Sequence, residues 1–178
     1  MPLNYLNLDE KTRQFMLEEI ELDIANSNLY LSPWLTNRGR QDWSQMMLES
    51  AKSGSDATLS LEITRFNRLS ITAERRKPGG FGITTYRIPP TAPDTMSEGE
   101  FNRFYVRALC RRAIEENIPT LIIYRAKSVV KPRTDSELKI GTSVNPGQIL
   151  QDLRTSPGLE PALGLPPGPN SGLSAKLP

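Results

Sequence analysis

The stretch 95–130, TMSEGEFNRFYVRALCRRAIEENIPTLIIYRAKSVV, constrains the fold most, because it reads as a capped helix, a stop and an apolar strand in succession. Thr95 with Glu98, and Ser97 with Glu100, are overlapping capping-box spacings, in which side chains satisfy the first free amides of a helix. They predict a helix over 97–117. Asn117-Ile118-Pro119 supplies the stop, since a residue before proline avoids the α region. TLIIYRA at 120–126 is apolar enough for a central strand. Phe101, Phe104, Tyr105, Ala108 and Leu109 share one side of the helix, so that side needs a surface to cover it.

The flanking sequence supplies such surfaces. Asn7 followed by Glu10 predicts a helix over 8–25, with Leu8, Phe15 and Leu22 on one face and Glu18, Glu19, Glu21 and Asp23 on the remainder. A connector over 26–39 contains Pro33 and Trp34. Helices are expected over 41–52 and 56–69, broken by Ser53-Gly54-Ser55. Segments 70–77 and 83–88 read as strands joined through Pro78-Gly79-Gly80-Phe81-Gly82, a hairpin connection in which glycine supplies positive φ angles. The order strand, helix, strand then predicts a right-handed crossover and a parallel pairing of 83–88 with 120–126. Pro146 suits the first turn of a short helix over 146–154, capped by Asn145.

From 155 the chain carries six prolines and four glycines in 24 residues, which predicts a tail without regular structure. Leu159, Leu163, Leu165, Leu173 and Leu177 make it apolar enough to lie on the domain or on a partner. The expected fold is α+β in a single domain over 1–154. A helical part (1–69) precedes a hairpin–helix–strand part (70–154), with a small mixed three-stranded sheet packed by one long helix. An extended Pro/Gly/Leu-rich tail (155–178) follows.

Histidine is absent, which removes the commonest general base, metal ligand and near-neutral pH sensor. Ser-His and Cys-His nucleophile pairs are thereby excluded within one chain. Zinc sites built on Cys and His are excluded on the same ground. No catalytic residue, metal site or cofactor is assigned. A lone Cys110 fits a reducing, cytoplasmic setting, and the absence of a long apolar run predicts no membrane contact. The net charge of +2 is unevenly spread. Residues 1–60 hold five Lys/Arg against nine Asp/Glu, and residues 61–140 hold fifteen against nine. Such a polarity suggests either an intramolecular match or an anionic partner for the basic middle.

Two basic constellations follow. Arg103, Arg107 and Arg111 fall within about 80° of one another on a helix and could track phosphates. Arg112 instead projects toward Tyr105 and Ala108, where it either snorkels or meets a carboxylate. Arg75, Arg76 and Lys77 lead into the glycine-rich tip, with Arg87 on the return strand, a β-ribbon suited to a nucleic acid groove. Phe81 at that tip is an exposed aromatic in need of a pocket or a partner. A third set, Asp94 with Glu137 and Lys139, has the residue types that hold Mg²⁺ in nucleases, although each also has an ordinary explanation.

The segments NYLNLDEKTRQFMLEEIELD, GEFNRFYVRALCRRAIEEN and PALGLPPGPNSGLSAKLP resemble a group of small bacterial proteins over nearly the full length. That resemblance implies a bacterial source and one self-contained unit, and brings no catalytic residue, cofactor or activity with it. The expectation is a non-enzymatic binding protein that engages nucleic acid or an acidic protein surface through Arg75, Arg76, Lys77, Arg87, Arg103, Arg107 and Arg111. The alternatives are an assembly subunit docking through tail 155–178 and a Mg²⁺-dependent nuclease. The oligomeric state is not legible.

Overall fold

The computed structural model describes residues 2–77, 79–156, 158–166 and 171–178. Pro78 of the expected turn, and Pro157 with residues 167–170 of the expected tail, lie outside the described residues. In chain order the elements are α1 (Glu10–Ala25), α2 (Asn37–Ser53), α3 (Asp56–Thr64), β1 (Thr72–Arg76), β2 (Ile83–Arg87), α4 (Ala92–Glu115) and β3 (Leu121–Arg125). They continue with α5 (Thr134–Glu137), β4 (Ser143–Val144), α6 (Pro146–Thr155), α7 (Leu159–Ala162) and β5 (Leu173–Lys176). The α+β class, the helical first third and the long helix stand; a three-stranded sheet is present, but it is antiparallel rather than mixed, and of the three expected strands it contains only β3.

α4 is the axis of the molecule. Every position from Phe101 to Cys110 is buried, because α1, α3 and α6 pack around it together with the sheet. Phe101, Phe104, Tyr105, Val106 and Leu109 meet Met16 and Ile20 of α1, Leu59 and Ile63 of α3 and Leu153 of α6 in one core. Each such side chain contributes about 1.5–3 kcal/mol when removed from water. The helix starts earlier than its capping-box spacings suggest, with Pro93 in its first turn. It ends at Glu115, just before the expected stop, where Asn117 takes a left-handed φ of +56°.

The sheet has the order β4-β3-β5, antiparallel throughout. The expected parallel pairing of 83–88 with 120–126 does not form. α4 is 24 residues long, about 36 Å at 1.5 Å per residue. β3 has only five, about 17 Å at 3.4 Å per residue. The strand therefore returns half the length of the helix and stops short of the hairpin, and β4 and β5 occupy its two edges. Among the described residues β1 and β2 pair only with each other, Thr72 opposite Arg87 through Arg76 opposite Ile83.

The second difference is the C-terminal segment. It is built into the domain rather than lying along it. Leu159, Leu163, Leu165, Leu173 and Ala175 are core residues. Asn102 of α4 donates from Nδ2 to the Leu173 carbonyl at 2.9 Å and accepts from Ser174 Oγ at 2.6 Å. Gly172 is required at the entry to β5: its φ is +67°, and a Cβ there would sit 2.4 Å from the Lys127 carbonyl. Asn7, expected to cap α1, instead accepts from the Leu177 amide at 3.0 Å. Asp9 caps the helix in its place, accepting from Thr12 N at 3.0 Å.

Candidate anion-binding surface

Two of the three arginines expected to form a phosphate-tracking stripe lie inside the molecule. Arg107 is fully buried and wrapped by α1: Nε donates to Glu19 Oε2 at 2.9 Å, while its two terminal nitrogens reach Asp23 at 2.7 and 2.9 Å. Arg103 reaches Asp23 at 3.3 Å, Glu100 at 3.3 Å and the Leu153 carbonyl at 3.2 Å. Arg154 of α6 closes the cluster on Glu19 from the other side, with Nε to Oε2 at 3.0 Å. Arg111 sits at the rim, half-buried, paired with Glu18 at 2.9 Å.

Of the two options the charge polarity left open, the intramolecular match is the one present. Glu19 and Asp23 are one turn apart on α1, as Arg103 and Arg107 are on α4, so the two rows interlock. Burial alone would raise the Glu19 carboxyl, but Arg154 and Arg107 outweigh it and hold it below its usual range. Glu100 has fewer cations, and burial pushes it up to about 7 against the pull of Arg103. Arg112 likewise meets carboxylates, Asp9 at 2.6 Å and Glu116 at 3.1 Å. Exposing Arg103 or Arg107 to a ligand would strand buried carboxylates, a change on the order of 3–5 kcal/mol.

The hairpin residues have the opposite fate. Arg75, Arg76, Lys77 and Arg87 are all exposed, and among the described residues none enters an ion pair. Cross-strand partners share a face, so Arg76 and Arg87 lie on one side of the ribbon with Glu74, Ile83 and Thr85. Arg75 lies on the other side with Ala73, Thr84 and Tyr86, stacked 5.4 Å from the Tyr86 ring centroid. That second side faces the body, because Trp34 Nε1 donates to Tyr86 Oη at 3.0 Å and Ile88 is buried.

The ribbon also carries exposed apolar groups. Phe81 at the tip is 92% exposed, Ile71 76% and Ile83 64%. The sequence signals Phe81 as an exposed aromatic, but not Ile71 or Ile83, whose β-branched character reads as a half-buried strand. The Trp34–Tyr86 tie that anchors the ribbon was not legible either, since it joins residues 52 positions apart.

Asp94, Glu137 and Lys139 do not converge. Asp94 lines a cavity of about 300 Å³ with Asp56 and Glu98 and accepts from Ser60 Oγ at 2.6 Å. Lys139 lines a different depression beside α6, and Glu137 approaches Arg125 at 4.0 Å. No group of three or more Cys, Asp or Glu side chains suited to a metal occurs among the described residues. Cys110 is buried, and burial raises its thiol far from the reactive thiolate range. Comparison of the chain with protein-family models, curated proteins and solved structures finds no match in any of the three.

Proposed function

We propose that this chain is a non-enzymatic binding protein whose β1–β2 ribbon engages nucleic acid through its phosphates. One observation supports this above the others: Arg75, Arg76, Lys77 and Arg87, which enter no ion pair among the described residues, stand with a single anion, Glu74, on a ribbon whose two strands pair with no other described strand. A two-stranded ribbon fits a groove while its basic side chains meet the backbone on either side. The buried stripe is no longer part of the ligand surface, and Arg111 adds only a rim charge already paired with Glu18.

Fluorescence anisotropy with labelled duplex and single-stranded oligonucleotides tests it. With Arg76, Lys77 and Arg87 on phosphates, log K should fall against log salt with a slope of roughly −2 to −3. Arg76→Glu with Arg87→Glu should lower that slope by about 2 and leave the fold intact. Binding that survives the double change unaltered refutes the ribbon as the contact surface.

Ile71, Ile83 and Phe81 favour a second reading, an acidic protein surface with an apolar pocket. It would show as binding that tolerates salt but is lost in Phe81→Ser. The tail-docking alternative has lost its arm over 159–165 and 171–177, where the leucines and β5 are spent on the chain's own core.

A further inference from the structure

Beneath the ribbon lies a cavity of about 390 Å³ between the loop after α1, α2, β2 and the first turns of α4. Four aromatic side chains line it, Tyr30 and Trp34 from the loop, Trp43 from α2 and Tyr86 from β2, with Glu100 in the same wall. None of these four rings stacks on another. The ring–ring contacts among the described residues all belong to Tyr5, on Phe101 and on Tyr105. One face of Tyr86 already carries the Arg75 guanidinium, 5.4 Å from the ring centroid, while Tyr30, Trp34 and Trp43 have no cation stacked on them among the described residues, so the lining offers aromatic quadrupoles to a cation that enters.

Three further observations concern the same space. Gly99 lies on the α4 side of the cavity, and a Cβ built on it meets nothing within 4 Å. Glycine inside a helix costs about 1 kcal/mol relative to alanine, and here the omitted side chain leaves room. Glu100 commits one oxygen, Oε2, to Arg103 at a long 3.3 Å. The charged groups acting on it are Arg103 and Arg107 from α4 and Asp23 from α1, so its charge is only partly met from within. Finally, the buried indole N–H of Trp43 has no hydrogen-bond partner among the described residues.

We propose that this cavity binds a methylated ammonium group, with Tyr30, Trp34, Trp43 and Tyr86 around the cation and Glu100 as its counter-charge. A methylated ammonium has low hydration and a greasy, positively charged surface, which aromatic faces and one carboxylate recognise better than either apolar walls or a bare anion site does. The free Trp43 donor suits a ligand with an oxygen near the cation. Two sources share this chemistry: a free small molecule such as choline, and a trimethylated lysine side chain on a peptide. The inference is independent of what the ribbon binds.

The chain has two tryptophans, and both line the cavity, so intrinsic fluorescence reports this site directly. Choline and an N-acetylated trimethyllysine amide would be titrated separately against 3,3-dimethylbutan-1-ol, the uncharged isostere of choline. A saturable change is expected with at least one cation, and affinity at least ~10-fold weaker for the neutral alcohol. Gly99→Leu should fill the cavity and remove the response while leaving the helix intact, as judged by circular dichroism and melting. Tyr30→Leu, at a 42% exposed position, should weaken it ~10-fold without a change in melting temperature. Saturation by choline alone, or by the lysine derivative alone, identifies the source. Equal binding of the neutral alcohol, or no saturable change with either cation up to ~50 mM, overturns the proposal.

Discussion

Arg103 and Arg107 on α4 and Arg76 and Arg87 on the ribbon are the same side chain, yet the two regions use it in opposite ways. On α4 the guanidiniums are removed from water and every one meets a carboxylate, Glu19, Asp23 or Glu100. On the ribbon they are exposed and, among the described residues, have no carboxylate partner. The difference follows from what stands opposite. α1 offers an i, i+4 pair of acids at the spacing of the two arginines, whereas the residues of the ribbon's outer face, Thr72, Glu74, Arg76, Ile83, Thr85 and Arg87, are all exposed. A run of arginines therefore reveals a binding surface only once the complementary acids in the same chain have been assigned.

Substitutions graded by depth sharpen this contrast. Arg107→Leu should give the largest effect, a loss of about 3–5 kcal/mol in urea denaturation, because Asp23 loses its main partner and buried Glu19 keeps only its contacts to Arg154 and Arg111. A loss below about 1 kcal/mol would show that the cluster is not held closed in solution.

Glu100 gives the next effect, through pH. Its carboxyl is held up to about 7 in the fold, against an ordinary value of 4.5. Between those values the folded state keeps a proton that the unfolded chain has lost. Stability contributed by this group is therefore full below the ordinary value and falls as pH rises through the window, by on the order of 3 kcal/mol. Glu100→Gln should flatten that fall. An unchanged pH profile would show that Glu100 ionises normally. At the surface the effects should be small: Arg111→Ala is expected to cost about 0–1 kcal/mol. Arg76→Ala should stay within about 0.5 kcal/mol in stability, yet reduce the salt slope of nucleic acid binding by about 1.

Local chemistry made much of the fold legible. Asn145 caps α6 as its position before Pro146 suggests, accepting from Gln148 N at 3.0 Å. The stop at Asn117 and the glycine-rich hairpin tip follow from backbone preferences that act within a few residues. What was not legible depends on distant partners. β5 is a four-residue strand in a segment whose proline and glycine content argues for irregular chain, and it forms because the free edge of β3 lies beside it. The burial of Arg103 and Arg107 had a usable signal, the matching spacing of Glu19 and Asp23. One helix read alone shows a charged face and nothing about what covers it. The aromatic cavity joins residues from Tyr30 to Glu100, and no spacing rule links them.

The seating of β5 has a consequence for synthesis. The sheet lacks one edge, Asn102 lacks both its partners and Asn7 lacks Leu177 until the ribosome has passed residue 177. The helical part can gather early, but during elongation β3 presents an open, apolar edge of the kind other chains can pair with. Completion of this domain therefore waits on the strand made last within it. Translation stalled just before β5 should leave an aggregation-prone species rather than a smaller folded one.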